Sequence, residues 1–400
     1  MSVTDTTLSA KSTSAGRWRM ATTGGYFAAF IGIGLAEAVL GRTLPDLAAQ
    51  TGTVTSEISF LFIARAAGYL LGALLAGRLY DRLPGHPVMA SVLIILAVTL
   101  VLIPLMPLLW LLTIVLLILG MAQSVVDVGG NTLLVWVHRR QVGPYMNGLH
   151  FFFGVGAFLA PVVIAQAVLL SGGISWGYWV LAGLMVPVAI WLLPWPSPKD
   201  ESLPEDSAAG RVNYGLIALL ALFFFFFVGA EVSYGGWIYS YAVAVGLPGE
   251  TTATYLNSAF WGALTLARLL TIPLAIRLRP RYLLIMDLAG CLLSLALVLL
   301  WPTSLTVIWV GTIGAGFFLA SIFPTTITLA ERNLTVTGQT TSYFIVGASL
   351  GSMAVPWLIG QLFEPVGPQM MMLIILISLV LATAVFAVLI YRLERGKSAQ

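Results

Sequence analysis

The chain has 400 residues, 59% of them apolar and 9% charged, against about a quarter charged in an ordinary soluble domain. No water-soluble fold hides that much apolar surface, and a net charge of +3 spread along the chain forms no basic stripe, so no nucleic-acid partner is expected. The single cysteine, Cys291, excludes an intramolecular disulfide and a thiolate metal cluster.

Met1 to Met20 is polar, rich in Ser and Thr, and lacks an apolar core leading to a small-residue cleavage site. It reads as a disordered cytoplasmic tail rather than a signal peptide. From residue 21 onward, apolar runs of about 20 residues, the length that crosses a bilayer, follow one another. Pro, Gly and charge punctuation predicts spans near 21–43, 56–77, 87–104, 109–137, 145–170, 175–194, 213–241, 252–276, 282–301, 304–330, 338–362 and 369–391. The polar stretch from Pro196 to Asp206 divides them into a six-helix bundle at 21–195, a cytoplasmic linker at 196–212 and a second bundle at 213–391, with a cytoplasmic tail at 392–400.

Short loops rich in Lys and Arg stay in the cytoplasm. With the N-terminus inside, all but three of the 19 basic residues fall in the tails, the linker or cytoplasmic loops. The exceptions are Arg42 at the outer end of span one, and Arg65 and Arg268 inside spans two and eight. The expectation is a multi-pass protein of the inner (cytoplasmic) membrane with both termini cytoplasmic.

The halves repeat. Glu37, Gly41 and Gly120 recur as Glu231, Gly235 and Gly314, each 194 positions later, while Gly156 and Pro161 recur as Gly351 and Pro356 at an offset of 195. Arg65 and Arg268 match at an offset of 203. Spans one and seven both begin inside, so the repeats are parallel, the six-plus-six plan of major facilitator transporters with a solute site between the halves. The fold class is all-α membrane protein, with twelve transmembrane helices in two parallel six-helix pseudo-repeats.

A charged side chain at the bilayer centre costs about 2.5–3.5 kcal/mol on insertion scales, so ionisable residues there face a cavity or one another. Gln123, Asp127 and Asn131 are spaced by four and share one helix face, a carboxylate flanked by amides that suits a polyhydroxylated ligand. The alternative is a polar seam locking span four to its neighbours. Glu37 and Glu231 either couple transport to an ion or pair with a buried arginine. Arg65 and Arg268, always charged, need a carboxylate or carbonyl partner. His150 is either a proton relay or a satisfied polar residue, and Asp287 is expected to reach the cytoplasmic interface. Tyr234, Trp237, Asn257 and Trp261 combine aromatic faces with an amide, which sugar rings need, whereas Tyr241 reads as an interfacial anchor. No His- or Cys-rich spacing suggests a metal site, no Walker-type loop suggests ATP, and no nucleophile–base pair suggests an enzyme. No cofactor is expected.

The loop Gly77-Arg78-Leu79-Tyr80-Asp81-Arg82-Leu83-Pro84-Gly85-His86 resembles the signature loop of the major facilitator superfamily. That resemblance implies gating roles for Gly77, Asp81 and Arg82. The matching loop Arg277-Leu278-Arg279-Pro280-Arg281 keeps positive charge but has no Asp. The segments Asp127-Val128-Gly129-Gly130-Asn131, Tyr145 to Pro161 and Ile58 to Arg65 resemble the sodium-dependent glucose transporter branch, which is related to the fucose–galactose–glucose:proton symporters. Asp127 and Asn131 match the acid and Asn that those symporters carry in span four. The acid they carry in span one is not matched, since Glu37 lies one turn before the corresponding Gly41. The resemblance implies a monomeric transporter, in contact with membrane lipid, that carries a hexose-like sugar with a proton or sodium ion. An exporter of drugs or other metabolites on the same fold is the alternative.

Overall fold

The computed structural model describes residues 3–199, 213–247, 249–332 and 338–398. Helices are the only regular secondary structure longer than a turn among the described residues, as a hydrocarbon solvent requires of a chain that must satisfy its own backbone. They are α1 (Val3–Thr51), α2 (Thr55–Ile58), α3 (Phe60–Arg82), α4 (Gly85–Leu102), α5 (Leu109–His138), α6 (Val142–Ser171) and α7 (Ser175–Leu192) in the first half. The second half holds α8 (Tyr214–Ala244), α9 (Glu250–Arg277), α10 (Pro280–Leu300), α11 (Leu305–Leu319), α12 (Ile322–Glu331), α13 (Gly338–Phe363) and α14 (Gln369–Ser398).

Among the described residues, eleven segments are long and apolar enough to cross a membrane, with α11 and α12 together forming one of them. The twelfth span is α9, whose 28 residues extend about 42 Å at 1.5 Å per residue. Its polar residues, Asn257 and Arg268 among them, dilute its apolar character. The protein is thus an all-α membrane protein of two six-span halves. The predicted spans are found in order; α1, α3, α6, α9 and α14 run past theirs, while α7 stops at Leu192. The helix of span one reaches back to Val3, into the stretch read as a disordered tail, because extending an existing helix needs no new nucleus.

The same helix pairs recur in both halves. In the first, α1 packs on α6 and α3 on α5; in the second, α8 packs on α13 and α9 on α11. Glycines set these close approaches. A side chain on Gly156 would strike the backbone of Ile31, one on Gly68 the backbone of Leu117, and one on Gly351 the backbone of Phe225. The halves meet along three lines, α3 against α13, α6 against α9 and α1 against α8. Large apolar side chains such as Leu74, Leu170 and Leu293 stay exposed on the outer faces, where lipid is the solvent.

Candidate functional site

The polar residues of the two halves converge where α1, α3, α5, α8 and α9 face one another. In the first half Arg65 donates to the Glu37 carboxylate and, at 2.9 Å, to the Glu37 carbonyl. The side chains are 10% and 17% exposed, so the pair is largely withdrawn from water but not sealed. Gln123 Nε2 lies at long range from Ile33 O (3.4 Å) and Glu37 Oε2 (3.5 Å), and its Oε1 has no partner among the described residues.

One turn toward the Asp81 end, Tyr69 donates its hydroxyl to Asp127 Oδ2. Asn131 Nδ2 donates to Asp127 Oδ1 and to the Asp127 carbonyl, both at 2.9 Å. The carboxylate thus has a donor on each oxygen, and Asp127 and Asn131 both remain half-buried. Tyr69 follows Arg65 by four residues and shares its helix face, a spacing that would have marked it in the sequence.

The second half repeats the ion pair more loosely, with Arg268 Nη2 3.9 Å from Glu231 Oε1. His150 on α6 is exposed and stands edge-on to Phe30 at 5.9 Å. Glu37, Arg65, Phe62, Gly235, Gly236 and Trp261 line a small cavity of about 10 Å³ between the halves, room for about one water. Trp261 Nε1 is buried there without a partner among the described residues.

Above the cavity the halves touch. A Cβ on Gly41 would stand 2.5 Å from Gly235 O and 2.9 Å from Gly236 Cα, so α1 and α8 are in backbone contact. Next to it Arg42, 1% exposed, bonds Asp46 at 2.9 Å, lies 3.9 Å from Glu250 of the other half, and stacks 4.1 Å over the Tyr239 ring. The Thr55 amide donates to Glu364, and Gln361 Nε2 donates to Ser56 O at 2.8 Å. This network closes the end of the bundle that carries Arg42. Of these residues, Arg42 carried a sequence signal in its exception to the charge bias, and Gly41 and Gly235 in their recurrence.

Several expected site residues are placed elsewhere. Trp237 is fully buried, donates Nε1 to Pro356 O at 3.0 Å and stacks on Phe363, so it belongs to the closed end rather than to the cavity. Tyr234 is fully buried, bonds Thr312 at 2.9 Å and stacks on Phe260 inside the second half. Asn257 is fully buried and bonds Gly235 O at 2.7 Å, one shell behind the cavity wall, with Oδ1 unpartnered among the described residues. Tyr241, expected as an interfacial anchor, is buried in the bundle. Asp287, expected at the interface, is 2% exposed and accepts a hydrogen bond from Ser321. Trp237, Tyr234, Asn257 and Asp287 are each held by a helix distant in sequence, which composition along the chain does not place. Gly77, Asp81 and Arg82 are exposed at the far end of α3, and a side chain on Gly77 would meet open space.

Residues 25–356 match the Major Facilitator Superfamily. The chain is 32% identical over 375 residues to sodium-dependent glucose transporter 1A of Mus musculus, covering 84% of this chain and 88% of that one. It is 30% identical over 373 residues to sodium-dependent glucose transporter 1 of Homo sapiens, covering 84% and 72%. Among solved structures, a mutant of the nucleoside transporter NupG superposes with a TM-score of 0.75 at 14% identity, over 93% of this chain and 99% of that one. A bacterial homologue of the human lysosomal transporter Spinster, inward-facing and unoccupied, superposes with a TM-score of 0.72 at 13% identity, over 94% and 96%. With the paired six-span halves, the polar site between them and a match spanning most of its length, the chain belongs to the major facilitator superfamily.

Proposed function

We propose that this protein is a secondary active transporter that moves a hexose-like sugar across the cytoplasmic membrane together with a proton or a sodium ion, exposing one site alternately to the two sides. The observation that carries the reading is the array of Asp127, Tyr69 and Asn131 beside the Glu37–Arg65 pair, half-buried between two helix bundles. A sugar presents hydroxyls that donate and accept at once. Asp127 and Glu37 offer acceptors, Asn131 and Arg65 donors, and Gln123 Oε1 and Trp261 Nε1 have bonding capacity to spare. The Trp261 and Phe62 rings line the small cavity between the halves and become apolar faces for the C–H side of a pyranose when the halves part. The relatives named for sodium-dependent glucose transport support this substrate class.

Charge neutrality couples the ion to the sugar. The site holds three carboxylates, Glu37, Asp127 and Glu231, against two arginines, so one cation balances it. A balanced site crosses the low-dielectric midplane at far lower cost than a charged one. His150, exposed on α6, is the further candidate for proton transfer. Release of the closed end requires breaking the Arg42–Glu250 contact and parting Gly41 from Gly235, while Asp81 and Arg82 act at the opposite, cytoplasmic end. The two bundles, 21–195 and 213–391, rock as units about the site, within a single monomer.

The test is labelled hexose uptake into proteoliposomes under an imposed sodium or proton gradient. Asp127→Asn keeps the shape of the site but removes the charge that one cation balances. We expect gradient-driven accumulation to be lost while sugar exchange at equilibrium continues. Accumulation equal to the parent protein's would overturn the coupling role of Asp127.

A further inference from the structure

The second half buries an acid that the sugar site does not use. Asp287 on α10 is 2% exposed, and Ser321 donates to its Oδ2. Helices α11, α12, α14 and α9 pack against α10. Among the described residues, none of them brings an arginine, lysine or histidine into an ion pair with Asp287. Cys291, fully buried, follows Asp287 one turn along α10. A carboxylate withdrawn this far from water needs more than one neutral hydroxyl to offset its desolvation. A proton on the carboxyl or a bound cation supplies that offset.

The adjoining helix is built to supply the rest of a cation's shell. Span ten is interrupted, α11 ending at Leu319 and α12 starting at Ile322, with Ala320 and Ser321 between them. Pro324 has no N–H, so the Ala320 carbonyl lacks the donor that a continuous helix would bring it four residues on. Ala320 is 1% exposed, which keeps bulk water from replacing that donor. Ser321, at the interruption, donates to the Asp287 carboxylate, and the released carbonyl belongs to the residue just before it. The set is all oxygen and carries one negative charge, which suits a hard monovalent cation. Carbonyls released at broken membrane helices are a recurrent means of holding sodium.

We propose that Asp287, Ser321 and the Ala320 carbonyl form a sodium site in the second half, separate from the sugar site. The repeat strengthens the assignment. Ser321 occupies in span ten the place that Asp127 occupies in span four, 194 residues earlier. In the first half that place carries the carboxylate and accepts from Tyr69; in the second it carries the hydroxyl and donates to Asp287. Among the described residues each half therefore holds a carboxylate–hydroxyl pair, and the second half sets its pair at a break in a helix.

The experiment needs no sugar. The purified protein is titrated with sodium chloride against choline chloride at constant ionic strength, and its thermal unfolding midpoint is followed. The parent protein shows a saturable rise specific to sodium. Asp287→Asn, which keeps the hydrogen bond from Ser321, lowers the size of that rise or raises the sodium concentration at half-effect at least tenfold. Ser321→Ala raises the sodium concentration at half-effect by about tenfold, the usual worth of one lost neutral oxygen ligand, and Ser321→Thr restores it. A parent protein indifferent to sodium, or an Asp287→Asn or Ser321→Ala protein with an unchanged titration, overturns the site. Asp127 is intact in all of these proteins, so failure here leaves the sugar reading standing, and loss of coupling in Asp127→Asn leaves this site standing.

Discussion

Replacing Gly41 by Val tests whether the Arg42 end is held shut by backbone contact. The new Cβ would lie 2.5 Å from Gly235 O and 2.9 Å from Gly236 Cα. Neither atom belongs to a side chain that can swing away, so α1 and α8 must separate. Overpacking of this kind costs about 1–3 kcal/mol. The strain is present only while this end is closed, so it moves the closed-to-open equilibrium by roughly 5- to 150-fold toward open. Ser59 reports the change, because it is fully buried where α3 meets α13, against Gly360. A cysteine there, in a background where the buried Cys291 is replaced by Ser, should react with an impermeant maleimide in proteoliposomes at a rate that rises with the open fraction. Gly24→Ala on the same helix is the control, since a Cβ there meets nothing within 4 Å. A labelling rate in Gly41→Val equal to that control's would refute the claim that this contact sets the closed state.

Two further outcomes follow from the same packing. Arg65→Met strands the Glu37 carboxylate in a site only 17% exposed, and should cost about 3–5 kcal/mol in unfolding free energy measured in detergent. Adding Glu37→Gln removes the stranded charge and should restore most of that loss, so a double variant no more stable than the single one would exclude the pairing. Trp237→Ala empties a site enclosed by Phe62, Phe363 and Gly360 and should cost about 3–5 kcal/mol. Because Trp237 stands outside the cavity, the apparent affinity for sugar in the folded fraction should change little, which equilibrium binding checks.

Much of the architecture was legible in one dimension. The bilayer sets the length of a span and forbids unpaired backbone, so apolar runs and their punctuation locate helices without knowledge of their neighbours. The recurrence of Glu37 as Glu231 and Gly41 as Gly235 exposes the two halves. The spacing of Gln123, Asp127 and Asn131 marked one polar helix face. Their partners were less visible, because a contact such as Tyr69 on Asp127 depends on how far α3 is rotated and translated against α5.

Only the tertiary structure decided which aromatic and acidic residues face the cavity. Trp237, Tyr234 and Tyr241 have the composition of either an interfacial belt or a sugar platform, and the choice rests on which helices lie beside them. Once α13 crosses α8, Trp237 is enclosed and its indole N–H is committed to Pro356. Asp287 lies only seven residues into α10, as near a helix end as an interfacial acid would be, yet α12 packs over it and brings Ser321 to its carboxylate. Periodicity along a chain specifies which residues share a face. What that face meets is decided by the close approach of helices distant in sequence, which glycines such as Gly41, Gly156 and Gly351 permit.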